Sequence, residues 1–181
     1  KTIDRSRDLF LMEQGTYHLS AEPLDLIVLL KAVKEELVPL LQKKELQMEL
    51  RIAENNAGWN ETYTIDGDQG LLELMFTNLI KNAIEASPQS DTVRIAINQK
   101  AGSGKQMHVI DIHNKGVIPE DIRMRLFDPY TTSGKKGGTG LGTHSALLVA
   151  RNHQGDIHFT TSESEGTHMV VELPVRLKER R

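Results

Sequence analysis

Apolar residues recur along the chain with two periods. Over residues 24–44, Leu26, Leu29, Leu30, Val33, Leu37, Leu40 and Leu41 keep helical spacing and predict an amphipathic helix, which Pro39 either kinks or breaks. The same period returns over residues 71–86 with Leu72, Met75, Phe76, Leu79, Ile80 and Ala83; Asp68 suits its N-cap, and Ser87-Pro88 stops it. A further helix is expected over about 141–153. Elsewhere the period falls to two. Met48, Leu50 and Ile52 predict a strand over 47–53, a short strand follows at 63–65, and Val93, Ile95 and Ile97 predict the next. A Gly/Ser turn at 101–105 returns the chain as a hairpin through 109–112, and a last hairpin joins 156–161 to 167–173. Residues 16–19 read as a short extended piece and 55–60 as a loop. Residues 1–14 read as the tail of a longer helix, with Leu9, Phe10 and Met12 as its stripe and Gly15 as its C-cap.

Strands joined as hairpins with helices between them predict an α+β fold: a two-layer α/β sandwich, mostly antiparallel mixed sheet with helices on one face, preceded by a helical stub. The stretch 117–143 reads as irregular, apart from a helical turn at about 121–127. A loop of that length inside a compact domain marks function or disorder, and this one ends in glycines, which favours function.

Composition narrows the classes. The 181 residues are 38% hydrophobic and 26% charged, which suits one globular domain with an appendage. A net charge of −3 gives no sign of nucleic acid or membrane as a partner. The absence of cysteine excludes disulfides and thiolate chemistry and fits a reducing compartment. No apolar run approaches the roughly 20 residues that span a bilayer. The chain begins at Lys1, which suggests a fragment of a longer protein.

Three stretches suggest chemistry. Residues 134–143 hold five of the fourteen glycines and two lysines just before a helix. Bare backbone N–H groups and the positive end of the helix dipole can hold phosphate there, or the glycines can serve a mobile loop alone. In the helix 71–86, Asn78, Asn82 and Glu85 share one face. Asparagine is a mediocre helix former, so the face is either solvated or selected for amide oxygens, hard ligands suited to Mg²⁺. In the strand 108–114, Asn114 ends the apolar row of Ile110 and Ile112. It offers a hydrogen-bonding group at the rim of the core, or it opens a turn with Lys115-Gly116.

Together these residues resemble a family. Asn78-Leu79-Ile80-Lys81-Asn82-Ala83-Ile84-Glu85-Ala86-Ser87 is similar to the N box of sensor histidine kinase ATP-binding domains, within the gyrase/Hsp90/histidine-kinase/MutL group. Phe127-Asp128-Pro129-Tyr130-Thr131-Thr132 resembles the F box, and Gly138-Thr139-Gly140-Leu141-Gly142-Thr143 the G2 box, in the family's order and spacing. The resemblance covers about residues 24–174 and implies the Bergerat type of sandwich. Residues 1–15 resemble the end of the second helix of a dimerisation and phosphoacceptor domain, leaving 16–181 as the catalytic domain. The resemblance implies ATP and Mg²⁺ as ligands, with Asn82 coordinating the metal and Asn78 assisting. Gly138, Thr139, Gly140, Leu141, Gly142 and Thr143 would wrap the phosphates, and Lys135 or Lys136 would reach one. Asn114, Gly116 and Ile118 would form the base pocket with Glu85 nearby, and residues 117–140 the ATP lid, anchored by Phe127.

The chain departs from the family pattern in three places. The family's Asp-x-Gly-x-Gly base motif reads Asn114-Lys115-Gly116-Val117-Ile118 here, so a neutral amide replaces the carboxylate. Glu85 and Ala86 stand where many members carry Lys and Tyr. Asn78 occupies the place of the Glu base of the hydrolysing branches; an amide takes no proton from water, which favours phosphoryl transfer to a protein over hydrolysis. None of the seven histidines fits the family's phosphoacceptor position, so the expected acceptor lies on an upstream helix and the chain alone should not label itself. The implied partners are that upstream domain, a response regulator receiver domain and a second copy in the full-length dimer, at a cytoplasmic location. The alternatives are a degenerate, non-catalytic docking module of the same fold, motivated by Asn114, and an ATP-hydrolysing domain, disfavoured by Asn78.

Overall fold

The computed structural model describes residues 5–52, 63–102, 105–131 and 140–178. In chain order the elements are α1 (Arg5–Glu13), β1 (Glu22–Asp25), α2 (Leu26–Lys43), β2 (Gln47–Ile52), β3 (Thr64–Gly67), α3 (Gln69–Ala86), β4 (Thr92–Gly102), β5 (Lys105–Asn114), α4 (Glu120–Arg123), α5 (Gly142–Asn152), β6 (Asp156–Ser162) and β7 (Gly166–Pro174). Five strands form one sheet in the order β2-β4-β5-β7-β6, and β1 pairs with β3 in a small second sheet. Only β2 and β4 run parallel in the larger sheet, which requires a crossover, and α3 lies within it.

Alternation along the strands puts one apolar face inward. Ile97, Ile110, Val171 and Ile157 pair across four strands, and Leu50, Ile95, Ile112, Met169 and Phe159 form the next rung across all five. Leu29, Leu30 and Val33 of α2, Phe76 and Ile80 of α3, and Ala146 and Val149 of α5 pack with these rungs in one core. The opposite face carries polar pairs, among them the ion pair Lys100–Glu172 at 2.6 Å and the hydrogen bond between His168 Nδ1 and Asp111 Oδ2 at 2.8 Å. One face covered by helices and one polar face make the expected two-layer sandwich.

Local chemistry sets the helix ends. Asp25 Oδ1 accepts the N–H groups of Ile27 and Val28, so α2 starts at Leu26 rather than at Leu24. The residues just before it form β1, with Leu24 opposite Ile65, while residues 16–19, expected to be extended, belong to no strand. Helix α2 runs on through Pro39; Pro39 and Glu35, whose carbonyl loses its partner, are both exposed, so water can satisfy the freed group. The Asp68 carboxylate caps α3. Helix α1 ends as expected at Gly15, with Gly15 N–H donating to Met12 O and Thr16 N–H to Leu11 O, both orphan carbonyls thereby satisfied. Of its predicted stripe only Met12 is buried, and it joins the core; Phe10 stays 58% exposed. The expected loop 55–60 lies outside the described residues, as do Ser103 and Gly104 of the β4–β5 turn.

Candidate functional site

A polar rung closes the apolar row at one end of the sheet. Asn114 of β5 stands opposite Thr167 of β7, and Thr167 opposite Thr161 of β6. Asn114 is 3% exposed and Thr167 5%. Their hydrogen bonds have a defined direction. The Gly116 carbonyl can only accept, so Thr167 Oγ1 donates to it at 2.7 Å; Thr161 Oγ1 then donates to Thr167 at 2.8 Å and accepts the Ile118 N–H at 3.1 Å. Asn114 Nδ2 also faces the Gly116 carbonyl, at 3.4 Å, which orients the amide and leaves Oδ1 as its free acceptor. Arg123 Nε holds the Ile118 carbonyl at 2.8 Å. The segment after β5 is thus fixed on both sides. Gly116 sits so close to the last turn of α3 that a Cβ there would collide with the Ala86 carbonyl.

Helix α3 forms the floor. Asn78, Asn82 and Glu85 are half-buried along one side of it. Among the described residues no group hydrogen-bonds the amide of Asn78 or Asn82, whereas Glu85 lies 3.9 Å from Lys81. From Asn78 to Ala86 the helix rises about 12 Å at ~1.5 Å per residue. The Ala86 end abuts Gly116. The Asn78 end abuts α5, since a Cβ on Gly142 would lie 3.8 Å from Asn78 Cγ.

The third wall is the start of α5. Leu141 is its N-cap residue, and no side chain among the described residues caps the helix. Its first N–H groups lie beside Asn78 with no such partner among the described residues, at the positive end of the dipole. The first turn also holds the F-box segment. Thr143 Oγ1 donates to Leu126 O at 2.7 Å, and His144 Nδ1 bonds Phe127 O at 2.9 Å. The Phe127 ring meets Phe159 at 6.0 Å with the planes tilted by 58°, which ties it to the core. Gly140, at φ 67°, packs on the backbone of Tyr130 and Thr131, where a Cβ could not fit. A hollow of about 270 Å³ lies on the F-box segment, lined by Ile122, Arg125, Asp128, Pro129, Tyr130 and Thr131, away from the asparagines.

The structure therefore brings Asn78 beside Gly142, Asn114 beside Gly116, and Phe127 beside α5, while Asn82 and Glu85 stand between the two ends and Leu141 and Ile118 at their rims. Gly138, Thr139, Lys135 and Lys136 lie outside the described residues. Sequence reasoning missed Thr161 and Thr167. The signal was available: each ends an apolar row by the same alternation that singled out Asn114. It also missed the role of His144. His108 and His153 are core residues, both buried. Among the described residues no cluster of His, Asp or Glu is arranged to hold a metal.

Residues 67–177 match the family described as histidine kinase-, DNA gyrase B-, and HSP90-like ATPase. Sporulation kinase A of Bacillus subtilis (strain 168) is 38% identical over 110 residues, 61% of this chain and 18% of that protein. The autoinducer 2 sensor kinase/phosphatase LuxQ of Vibrio parahaemolyticus is 28% identical over 96% of this chain and 20% of its own length. The chain spans 14% to 38% of the length of the curated relatives it matches. Full-length ShkA in complex with AMPPNP superposes with a TM-score of 0.73, 19% identity, and coverage of 94% of this chain and 34% of that one. That likeness shows the fold.

Proposed function

The chain belongs to the histidine kinase-, DNA gyrase B- and HSP90-like ATPase family, and from that premise we propose that it is the ATP-binding catalytic domain of a two-component sensor histidine kinase. The reaction is transfer of the γ-phosphoryl of ATP to a histidine on a helical segment outside these residues, at a cytoplasmic location. In the full protein, a response regulator receiver domain would take the phosphoryl group and a second copy would pair through the upstream helices. Residues 1–15 would be the end of that upstream helical domain and 16–181 the catalytic domain.

One observation carries the reading. A strip about 12 Å long on α3, with two unbonded amides, runs from the N-terminus of α5 to the Asn114 rung. The α5 end suits an anion and the Asn114 end suits a flat, hydrogen-bonding base. At the base end, Asn114 Oδ1 accepts from an exocyclic amine, while Thr161 and Thr167 hold Gly116 and Ile118 in place. At the phosphate end, Gly142 and the following N–H groups of α5 meet the charged tail, beside Asn78. Asn82 and Asn78 offer neutral, hard oxygens between the two, which fits Mg²⁺, an ion that takes few protein ligands when phosphates and water supply the rest. When bound, that ion neutralises charge on the phosphates. Asn78 stands where a base would be needed for hydrolysis and cannot accept a proton from water, so the residues position and neutralise rather than activate water. Phe127, inside the described stretch 117–131, and Gly140, at the far end, anchor the lid, residues 117–140.

Titration calorimetry with a non-hydrolysable ATP analogue and Mg²⁺ tests the reading. Asn82→Ala is expected to weaken Mg²⁺-dependent binding by about tenfold or more, the loss of one oriented ligand, with an unchanged circular dichroism spectrum. Absence of binding at millimolar nucleotide, or binding indifferent to Asn82→Ala, contradicts it. Incubated alone with labelled ATP and Mg²⁺, the chain is expected to take up no stable label.

A further inference from the structure

His144 joins three elements. Its ring leaves the first turn of α5 and bonds the Phe127 carbonyl of the F-box segment through Nδ1 at 2.9 Å. Through Nε2 it bonds Glu13 Oε1, in the last turn of α1, at 2.8 Å. The side chain is 15% exposed and that of Glu13 43%. Its neighbour Thr143 also holds the F-box segment but does not reach α1. Met12, one residue before Glu13, is buried in the core, so α1 is seated on the domain beside this contact.

A backbone carbonyl lies against one ring nitrogen and a carboxyl group against the other, so a single side chain ties the last turn of α1 to the F-box segment. Hydrogen bonds that involve a charged group are stronger than neutral ones. Glu13 thus fixes the ring in the orientation that meets Phe127 O.

We propose that His144 is a positioning residue that couples the seating of α1 to the F-box segment 126–131, and through it to the proposed nucleotide site. The coupling to nucleotide rests on the functional reading above; the coupling of α1 to the F-box segment does not. Other charged groups on the packed elements are Arg7 and Asp8 on α1, Arg125 and Asp128 on the F-box segment, Arg151 on α5, which pairs with Asp156, and Lys81 and Glu85 on α3, which lie 3.9 Å apart. Glu13 is the charged group bonded to the ring.

The test uses the 181-residue chain without nucleotide. Hydrogen exchange is followed at the Asp128 and Thr131 amides, which bond Arg125 O and Asp128 O. Glu13→Ala should raise that exchange by about tenfold, the worth of one hydrogen bond to a charged group, and should add nothing further in a His144→Ala background. Amides of Ile110 and Ile112 in the sheet should be unaffected. Glu13→Gln, which keeps an acceptor without its charge, should fall between the two. Unchanged exchange in Glu13→Ala, a further increase when Glu13→Ala is added to His144→Ala, or a uniform increase that includes the sheet would each overturn the proposal. Because no nucleotide is present, failure here is separate from failure of the calorimetric test.

Discussion

At Gly116 the backbone passes against the Ala86 carbonyl with no space for a Cβ, while the Asn114 amide and Thr167 hydroxyl converge on its own carbonyl. Gly116→Ala must therefore push the segment off α3 and disturb the Asn114 amide. The expected cost is about 1–3 kcal/mol, typical of overpacking, read as a lower urea midpoint. Nucleotide affinity should fall further than the stability loss explains, since the displaced group is the proposed base contact. Thr161→Val keeps shape but removes the hydroxyl that receives the Ile118 N–H and donates to Thr167. The same residue scale shows where sequence reasoning was sharp and where it was blind. Strand parity marked Asn114, but the direction of its amide depends on a carbonyl two residues on, and the threonines that complete the rung lie some fifty residues downstream.

Among the elements, α3 carries the most: core on one face, asparagines on another, and both its ends held from a distance. Its C-terminal carbonyls are gathered by Lys44, whose ammonium donates to Ile84, Glu85 and Ser87 at 3.0, 2.8 and 2.6 Å. The last carbonyls of a helix lack i+4 donors of their own; the Ile84 carbonyl also accepts the Ser87 N–H at 3.3 Å, and a cation at that end suits the dipole. Lys44→Met keeps the apolar stem and removes the donor. The expected loss is about 1.5–3 kcal/mol for hydrogen bonds to a charged group, with faster hydrogen exchange concentrated at the end of α3, measurable by mass spectrometry. An unchanged melting temperature would contradict it. The existence of the helices and the apolar stripes of α2 and α3 were readable from period, and the Asp68 cap and the Gly15 stop from residue type; of the stripe expected on α1 only Met12 is buried. The start of α2 was misjudged by two residues because β1 takes Leu24 for pairing with Ile65. Pairing with a distant strand leaves no local mark.

For the molecule as a whole, two buried histidines make stability depend on pH. His153 is fully buried: Nε2 accepts the Asp68 N–H at 3.0 Å and Nδ1–H donates to Val149 O at 2.8 Å, so the neutral ring locks the end of α5 to the start of α3. His108 bonds Thr64 O and lies against Tyr63. Burial lowers both pKa values below the ordinary 6.5, outweighing the opposing hydrogen bonds. The unfolded chain therefore binds more protons than the folded one between each lowered value and 6.5. Their contribution to stability is complete above that pH and is lost as pH falls through the window. Chemical denaturation at a series of pH values should show stability declining below 6.5, and His153→Gln should flatten the decline. An unchanged slope in that variant would assign the decline to other groups.

The sequence by itself determined the main helices and the strands of the large sheet, the two-layer class and the family, though not β1, because periodicity, caps and contiguous boxes are local properties that neighbouring residues state in full. It also placed Asn78, Asn82 and Asn114 on defined faces, since a helix and a strand each impose a fixed period. Tertiary structure alone decided the parallel β2–β4 pairing, the threonine rung that fixes Gly116, the seating of Gly142 against Asn78, and the bridge from Glu13 through His144 to Phe127. Each of these joins groups far apart along the chain, and their meeting depends on how the helices and strands pack rather than on any local pattern.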